Sequence, residues 1–265
     1  MRKPLLALTA ILAAAPSMAL AANDPWSAPF NLQIGAYFAQ AETQARLDAT
    51  NGNAGTSLSF ENNLGVEDSK TLPVLDFTWR FARRHAIEGS FVSLHRDGTQ
   101  TLTGQVNWGD ITFPVSTSVK SKFDSDIFRV AYRYSFVNEP GGEFAVLLGL
   151  HYTKLETEIA SATGTLSKSV SVDYPLPTIG VRGSARIADN LRVSGFVQLL
   201  KLKIDEYDGE VSNYGAGIEW AYWPNMFVGL GYDFYKYNLV STKERTRAEF
   251  DYKFDGPKLY FGWSF

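Results

Sequence analysis

The chain has 265 residues, 45% of them hydrophobic and 14% aromatic, with a formal net charge of −3. The mildly acidic balance, with no basic cluster, excludes nucleic acid as a natural partner. The absence of cysteine excludes disulfides, thiolate metal ligands and a lipid anchor on an N-terminal cysteine.

Residues 1–21 read as a secretory signal peptide. Arg2 and Lys3 supply the charged start, and Leu5 to Ala15 form an apolar segment. Pro16 and Ser17 break that segment, and Ala19-Leu20-Ala21 forms a cleavage site. The apolar run is too short to span a bilayer, which needs roughly 20 residues. Cleavage leaves residues 22–265, expected to form one domain, and takes away two cations, so the net charge goes from −3 to −5.

Ten stretches then alternate with the period of two that marks a strand with unlike faces, and no long stretch shows helical spacing. Residues 30–40 place Phe30, Leu32, Ile34, Ala36 and Phe38 on one face. Residues 72–82 set Leu75, Phe77, Trp79 and Phe81 against Asp76, Thr78 and Arg80. Residues 85–96 are less regular. Glu88 fixes their parity, because a charge on a lipid face costs free energy. In 123–136, Phe128, Val130, Tyr132, Tyr134 and Phe136 oppose Arg129, Ala131, Arg133 and Ser135. Residues 143–156 group Phe144, Val146, Leu148, Leu150 and Tyr152. Residues 175–187 set Ile179, Val181, Ala185 and Ile187 against Arg182, Ser184 and Arg186. Residues 190–203 set Leu191, Val193, Val197 and Leu199 against Arg192, Ser194 and Gln198. Residues 210–222 set Tyr214, Ala216, Ile218, Trp220 and Tyr222 against Gly215, Gly217 and Glu219. Residues 226–239 set Val228, Leu230, Tyr232 and Phe234 against Gly229, Gly231 and Asp233. A tenth strand runs from about Glu249 to Phe265, with a bulge or a late start expected at Pro257.

The connections alternate between short turns (82–84, 137–142, 188–189, 223–225) and long loops (about 41–71, 97–122 and 157–174). Asp208-Gly209 reads as a tight hairpin turn. Short turns alternating with long loops are the pattern of an up-and-down transmembrane β-barrel, with the turns in the periplasm. The fold class expected is therefore all-β, an antiparallel transmembrane barrel of about ten strands. Alternation inside the two longest loops (Leu58 and Phe60; Val106, Trp108 and Ile111) implies either strands that extend past the membrane or a total of twelve, and eight is the other alternative. A soluble sandwich also alternates, but its outward face would be mostly charged. Here the second face carries Gly, Ser, Thr, Asn and isolated charges, as a lumen does.

The chain ends with Leu259, Phe261, Trp263 and Phe265 on one face. This aromatic ending resembles the C-terminal strand of small outer-membrane barrels of Gram-negative bacteria, although Gly262 sits closer to the end than is usual for that signal. The resemblance implies outer-membrane localisation, and partners in outer-membrane lipid, lipopolysaccharide and the barrel assembly machinery. Phe261, Trp263 and Phe265 would form the assembly signal.

The strand parity points Arg80, Arg129, Arg133, Arg182, Arg186 and Arg192 inward, with Asp76, Glu88, Glu219 and Asp233. Arg–carboxylate pairs across a narrow lumen are the expected outcome, since unpaired buried charges are costly. The other outcome is an arginine-lined pore that prefers anions and passes a small solute.

Some of the resembled barrels are lipid-modifying enzymes with a His-x-Ser pair on the lipid-facing side. This chain has the reverse order, Ser93-Leu94-His95, with both side chains outward and no third group evident from the sequence. His151 is expected in the lumen and His85 at a turn, and no protease-like Asp/His set is recognisable. The acidic residues Asp124, Asp126, Asp205, Glu206, Asp208 and Glu210 match no calcium-loop spacing and read as solvated strand tips. Asn62-Asn63-Leu64-Gly65 has no phosphate-loop context, and no metal or cofactor is expected. The leading functional expectation is a structural or interaction barrel with a charged, largely filled lumen. A narrow channel and a lipid-modifying enzyme using Ser93 and His95 stand as alternatives.

Overall fold

The computed structural model describes residues 24–204, 207–243 and 246–265. The expected signal peptide lies outside the described residues, as do Asp205 and Glu206. Ten long strands dominate: β1 (Phe30–Leu47), β2 (Ser69–Ala82), β3 (His85–Thr101), β4 (Ser118–Glu139), β5 (Gly142–Ser161), β6 (Ser167–Ala188), β7 (Leu191–Ile204), β8 (Tyr207–Trp223), β9 (Met226–Lys243) and β10 (Thr246–Ser264). Each pairs antiparallel with the next, and β10 pairs back onto β1, closing a ring of ten. Closure matters because an open sheet edge would expose unpaired N–H and C=O groups to lipid. The last residue takes part: Phe265 and Phe30 exchange backbone hydrogen bonds, each 3.0 Å.

The polarity of every strand reverses partway along it. On β4 the outward residues Phe128 to Phe136 are apolar, but Lys120, Lys122, Asp124 and Asp126, further toward the long loops, are polar. The inward residues change in the opposite sense, from Arg133 and Arg129 to Ile127, Phe123 and Val119. The other strands follow: Tyr152 gives way to Lys154 and Glu156, and Leu259 gives way to Asp255, Lys253 and Asp251. The belt from Phe128 to Phe136 is roughly 20 Å tall, at ~3.4 Å per residue and a tilt of about 40°. That height suits a bilayer's hydrocarbon layer. Beyond the belt the strands continue for roughly 20–25 Å by the same geometry. There the barrel is built as a water-soluble one is, with its apolar core inside.

The inner core of this loop-end half includes Tyr37, Phe60, Trp108, Phe113, Phe123, Tyr237, Tyr252 and Phe254, all at most 2% exposed. The alternation in the two longest loops, read as strands that extend the barrel wall or raise its number to twelve, supplies a cap instead. A single helical turn, α1 (Phe60–Leu64), is capped by the Ser59 hydroxyl, which accepts from the Asn62 N–H at 3.2 Å. It ends at Gly65, whose φ of 68° lies in the left-handed region that glycine tolerates. A small hairpin, Val106–Trp108 with Ile111–Phe113, packs beside it, and Phe60 lies edge-on to Trp108 and Phe123. Arg96 of β3 ties this cap to the wall. Its guanidinium donates to Glu61 at 2.6 Å, to the Glu67 carbonyl at 3.0 Å and to the Thr43 hydroxyl at 2.5 Å.

Two local expectations need correction. Asp208 and Gly209 are not a turn but strand residues of β8, paired with Lys203 and Leu202. Pro257 causes neither a bulge nor a late start. It lies inside β10, opposite Tyr232, and the β1 ladder merely skips two positions there without changing register, from Tyr37↔Lys258 to Gln40↔Asp255. The strands do run on past the belt, as one reading of the loops expected, so the connections are shorter than 41–71, 97–122 and 157–174.

Candidate functional site

The turn-end half of the lumen holds the charges. All ten residues expected to line it face inward. Glu88 receives Arg182 at 3.2 Å and Arg133 at 3.4 Å. Glu219 pairs with Arg192 at 2.5 Å and accepts from the Tyr260 hydroxyl at 3.0 Å. That contact depends on Gly229: a Cβ there would meet the Tyr260 ring at 2.1 Å. Asp233 and Asp76 share Lys258, at 2.7 and 3.9 Å. Arg80 pairs with Glu143 at 2.8 Å, and Arg186 pairs with Asp24. Arg129 departs from the expected pairing. It donates to the Gln198 amide oxygen at 3.1 Å and stacks on Phe196, as Arg182 does from 5.2 Å. His151 lies at the top of this region, fully buried, with Nδ1 3.1 Å from the Tyr237 hydroxyl.

Among the described residues of this chamber, seven cations (six Arg and Lys258) meet six carboxylates (Asp24, Asp76, Glu88, Glu143, Glu219 and Asp233). The near-balance gives little net field to select an anion. The free space between the side chains is about 90 Å³, room for a few waters. Toward the loop end the chamber meets the aromatic core. Toward the turn end the N-terminal segment closes it: Trp26 sits between the Arg186 and Arg192 guanidiniums, 5.1 Å from each. The Pro25 carbonyl accepts from Ser264 at 2.7 Å and holds that segment in place.

Glu143 and Lys258 were legible in the sequence, since their parity follows from Phe144 and from Leu259. The inward direction of Gln198 followed from the alternation, but its partner Arg129 and the roles of Asp24, Trp26 and Phe196 carried no sequence signal, because each depends on a neighbour brought in from another segment.

A second cluster lies outside the barrel, one residue pair beyond Phe91 and Phe128 at the edge of the belt. Here the structure supplies the third group that the sequence did not reveal. Ser93 pairs in register with Asp126 and donates to its carboxylate at 2.5 Å. His95 Nδ1 is 3.4 Å from the Ser93 hydroxyl, and its Nε2 is 3.6 Å from Asp126. Serine and histidine thus share one carboxylate oxygen, whereas in a proton relay the imidazole stands between the other two. Partial burial pushes the neighbouring Asp124 carboxyl upward; His95 opposes that shift and Glu156 adds to it. Among the described residues no group of three His, Asp or Glu side chains is arranged to hold a metal. His85 stands at its turn, 2.5 Å from the Tyr132 hydroxyl. Phe261, Trp263 and Phe265 all project outward from β10.

No protein-family profile matches the chain, and no curated protein matches it. Solved structures do. The outer membrane protease OmpT from Escherichia coli superposes with a TM-score of 0.59 at 11% identity, covering 89% of this chain and 96% of that one. The transport unit of the autotransporter AIDA-I from Escherichia coli gives 0.42 at 7% identity, covering 94% of each chain. Ail, the attachment invasion locus protein of Yersinia pestis, gives 0.34 at 13% identity, covering 86% of this chain and 97% of that one. These neighbours are bacterial outer-membrane β-barrel proteins, and the likeness to OmpT, at 11% identity, is one of fold.

Proposed function

We propose that this chain is exported by its N-terminal signal peptide to the outer membrane of a Gram-negative bacterium. There it serves as a closed barrel with a structural or interaction role, and it presents a rigid, folded cap outside the cell. The observation that carries this reading is the aromatic core filling the loop-end half of the barrel. A conducting path would have to cross it. The paired charges below it support the same reading, because they satisfy one another rather than lining an open passage. The terminal strand is the segment we assign to recognition by the assembly machinery, and lipopolysaccharide surrounds the belt. The test is single-channel recording of refolded protein in a planar bilayer. Silence from folded, inserted protein is expected. Steady anion-selective openings that lose their preference in Arg129→Ala would establish the narrow-channel reading instead.

Asp126 favours a second reading, an ester hydrolase acting on outer-leaflet lipid. Ser93 Oγ would attack an acyl ester carbonyl, with its proton passing to the adjacent base and on to the departing alcohol. Water would then cleave the acyl-enzyme to release a fatty acid. Turning the His95 ring between Ser93 and Asp126 is a prerequisite. Fatty acid release abolished by Ser93→Ala would establish it, and an unchanged lipid profile would remove it.

A further inference from the structure

The barrel wall is not uniformly sealed. β6 and β7 share only nine register pairs, while β5 and β6 share nineteen and β7 and β8 fourteen. Their last pair is Ile179↔Leu199. Beyond it β6 continues through Pro177 and Pro175, paired only with β5, opposite Leu150 and Tyr152. β7 continues through Lys201 to Ile204, paired only with β8. Among the described residues no ladder joins β6 to β7 over this stretch. Proline lacks the N–H that a ladder needs, so β6 could donate little there in any case. The seam opens at the outer edge of the apolar belt, level with Tyr152.

A hollow of about 520 Å³ occupies the seam, lined by Pro177, Ile179, Leu199, Leu200 and Val211. Next to it along the same strands, toward mid-belt, lies a second hollow of about 470 Å³, which starts at Val181, Val197 and Tyr214. The floor of that one is a row of small outward residues across three strands, Gly183, Gly195 and Ala216. Phe144 and Tyr232 stand at its two ends. Packing does not impose the first glycine: a Cβ at Gly183 would meet nothing nearer than the Glu143 carbonyl, 3.9 Å away. At the outer mouth stand Lys201 and Lys203, 82% and 78% exposed, each only loosely paired, with Glu210 at 3.7 Å and Asp208 at 4.0 Å.

We propose that this groove is a binding site for one acyl chain of an outer-leaflet lipid, with Lys201 and Lys203 receiving its headgroup phosphate. The occupant follows from three features together. The groove opens on the lipid face, its walls are mostly apolar along the direction an acyl chain takes, and its positive charge sits at headgroup level. The inference rests on the membrane placement proposed above.

Because the chain has no cysteine, a single Ser212→Cys carries a fluorophore into the groove wall. Tyr152→Cys is the depth-matched control, since Tyr152 is the last apolar outward residue of β5 before Lys154, and Ser212 follows Tyr214, the last apolar outward residue of β8. Each labelled protein is reconstituted into phosphatidylcholine–phosphatidylglycerol vesicles with rising fractions of brominated acyl chains, which quench on contact. The expected result is half-maximal quenching at the Ser212 position at about a tenfold lower brominated fraction than at the Tyr152 position, equivalent to ~1.4 kcal/mol. Gly183→Leu and, independently, Ala216→Leu project only into lipid, and each should erase the difference. Equal quenching at both positions overturns the groove, as does a difference that survives both fillings. No quenching at either position overturns the membrane placement as well.

Discussion

Arg96 holds the cap to the barrel, and replacing it with methionine tests that attachment. The side chain is fully buried, and Glu61 is 11% exposed. Arg96→Met removes the 2.6 Å ion pair and the donations to Glu67 and Thr43. Glu61 would keep the Thr43 N–H at 2.9 Å. Leaving one member of a buried pair uncompensated costs about 3–5 kcal/mol. The loss should fall on cap docking and not on the ring, because the strand ladders are made by backbone groups that the substitution does not touch. At ~1.4 kcal/mol per tenfold, the open fraction of the cap rises by about 10² to 4 × 10³. Hydrogen exchange reads this directly at the Val66 and Glu67 amides, which donate to Phe60 and Asp97 in the closed cap. Those amides should lose protection while amides within the β9–β10 ladder keep theirs. The double variant Arg96→Met/Glu61→Leu removes both charges and should recover most of the loss. Unchanged exchange in Arg96→Met, or a double variant as open as the single one, would refute the reasoning.

Glu88→Ala should lower barrel stability by about 3–5 kcal/mol, because Arg133 and Arg182 lose their shared carboxylate inside the chamber. The midpoint of heat-modified gel mobility measures this, and an unshifted midpoint would show that the network contributes nothing. Deleting Phe265 removes its reciprocal hydrogen bonds with Phe30 and a ring contact at 4.8 Å. At about 1 kcal/mol per hydrogen bond the loss is modest, so slower insertion into vesicles is expected rather than unfolding. Cap stability should also fall in acid. Burial raises the Asp48 carboxyl, but the Gly55 N–H and Arg46 outweigh it, and the net shift is downward. The Thr50 N–H and hydroxyl lower Asp110. Both groups sit below the unfolded value of about 3.9, so their stabilisation is complete above that pH and is lost as pH falls through the folded values. Proteolysis of residues 48–56 should therefore accelerate below about pH 4. An identical acid step in Asp48→Asn/Asp110→Asn would show that other groups control it.

Strand number, order and parity were legible because lipid and lumen impose a strict two-residue alternation with large aromatic groups on one side. Glu88 settled the one ambiguous strand for the same reason: a carboxylate has a single tolerable direction inside a membrane. Strand length was not legible. Outside the belt water replaces lipid and the core replaces the lumen, so both faces change character and the alternation used to recognise a strand fades. The cap was misread for a related reason. Val106, Trp108 and Phe60 alternate as strand residues do, but which surface they cover depends on the barrel mouth assembled from distant strands.

The sequence by itself determined a transmembrane barrel of about ten strands and the inward direction of its charges, since local periodicity alone carries that information, and ring closure settled the number at ten. Only the tertiary structure decided which charges pair, how Trp26 closes the chamber, that Asp126 meets Ser93, and where β6 and β7 part. Each of these depends on the register between strands, and register is set when the whole ring closes rather than by any one strand.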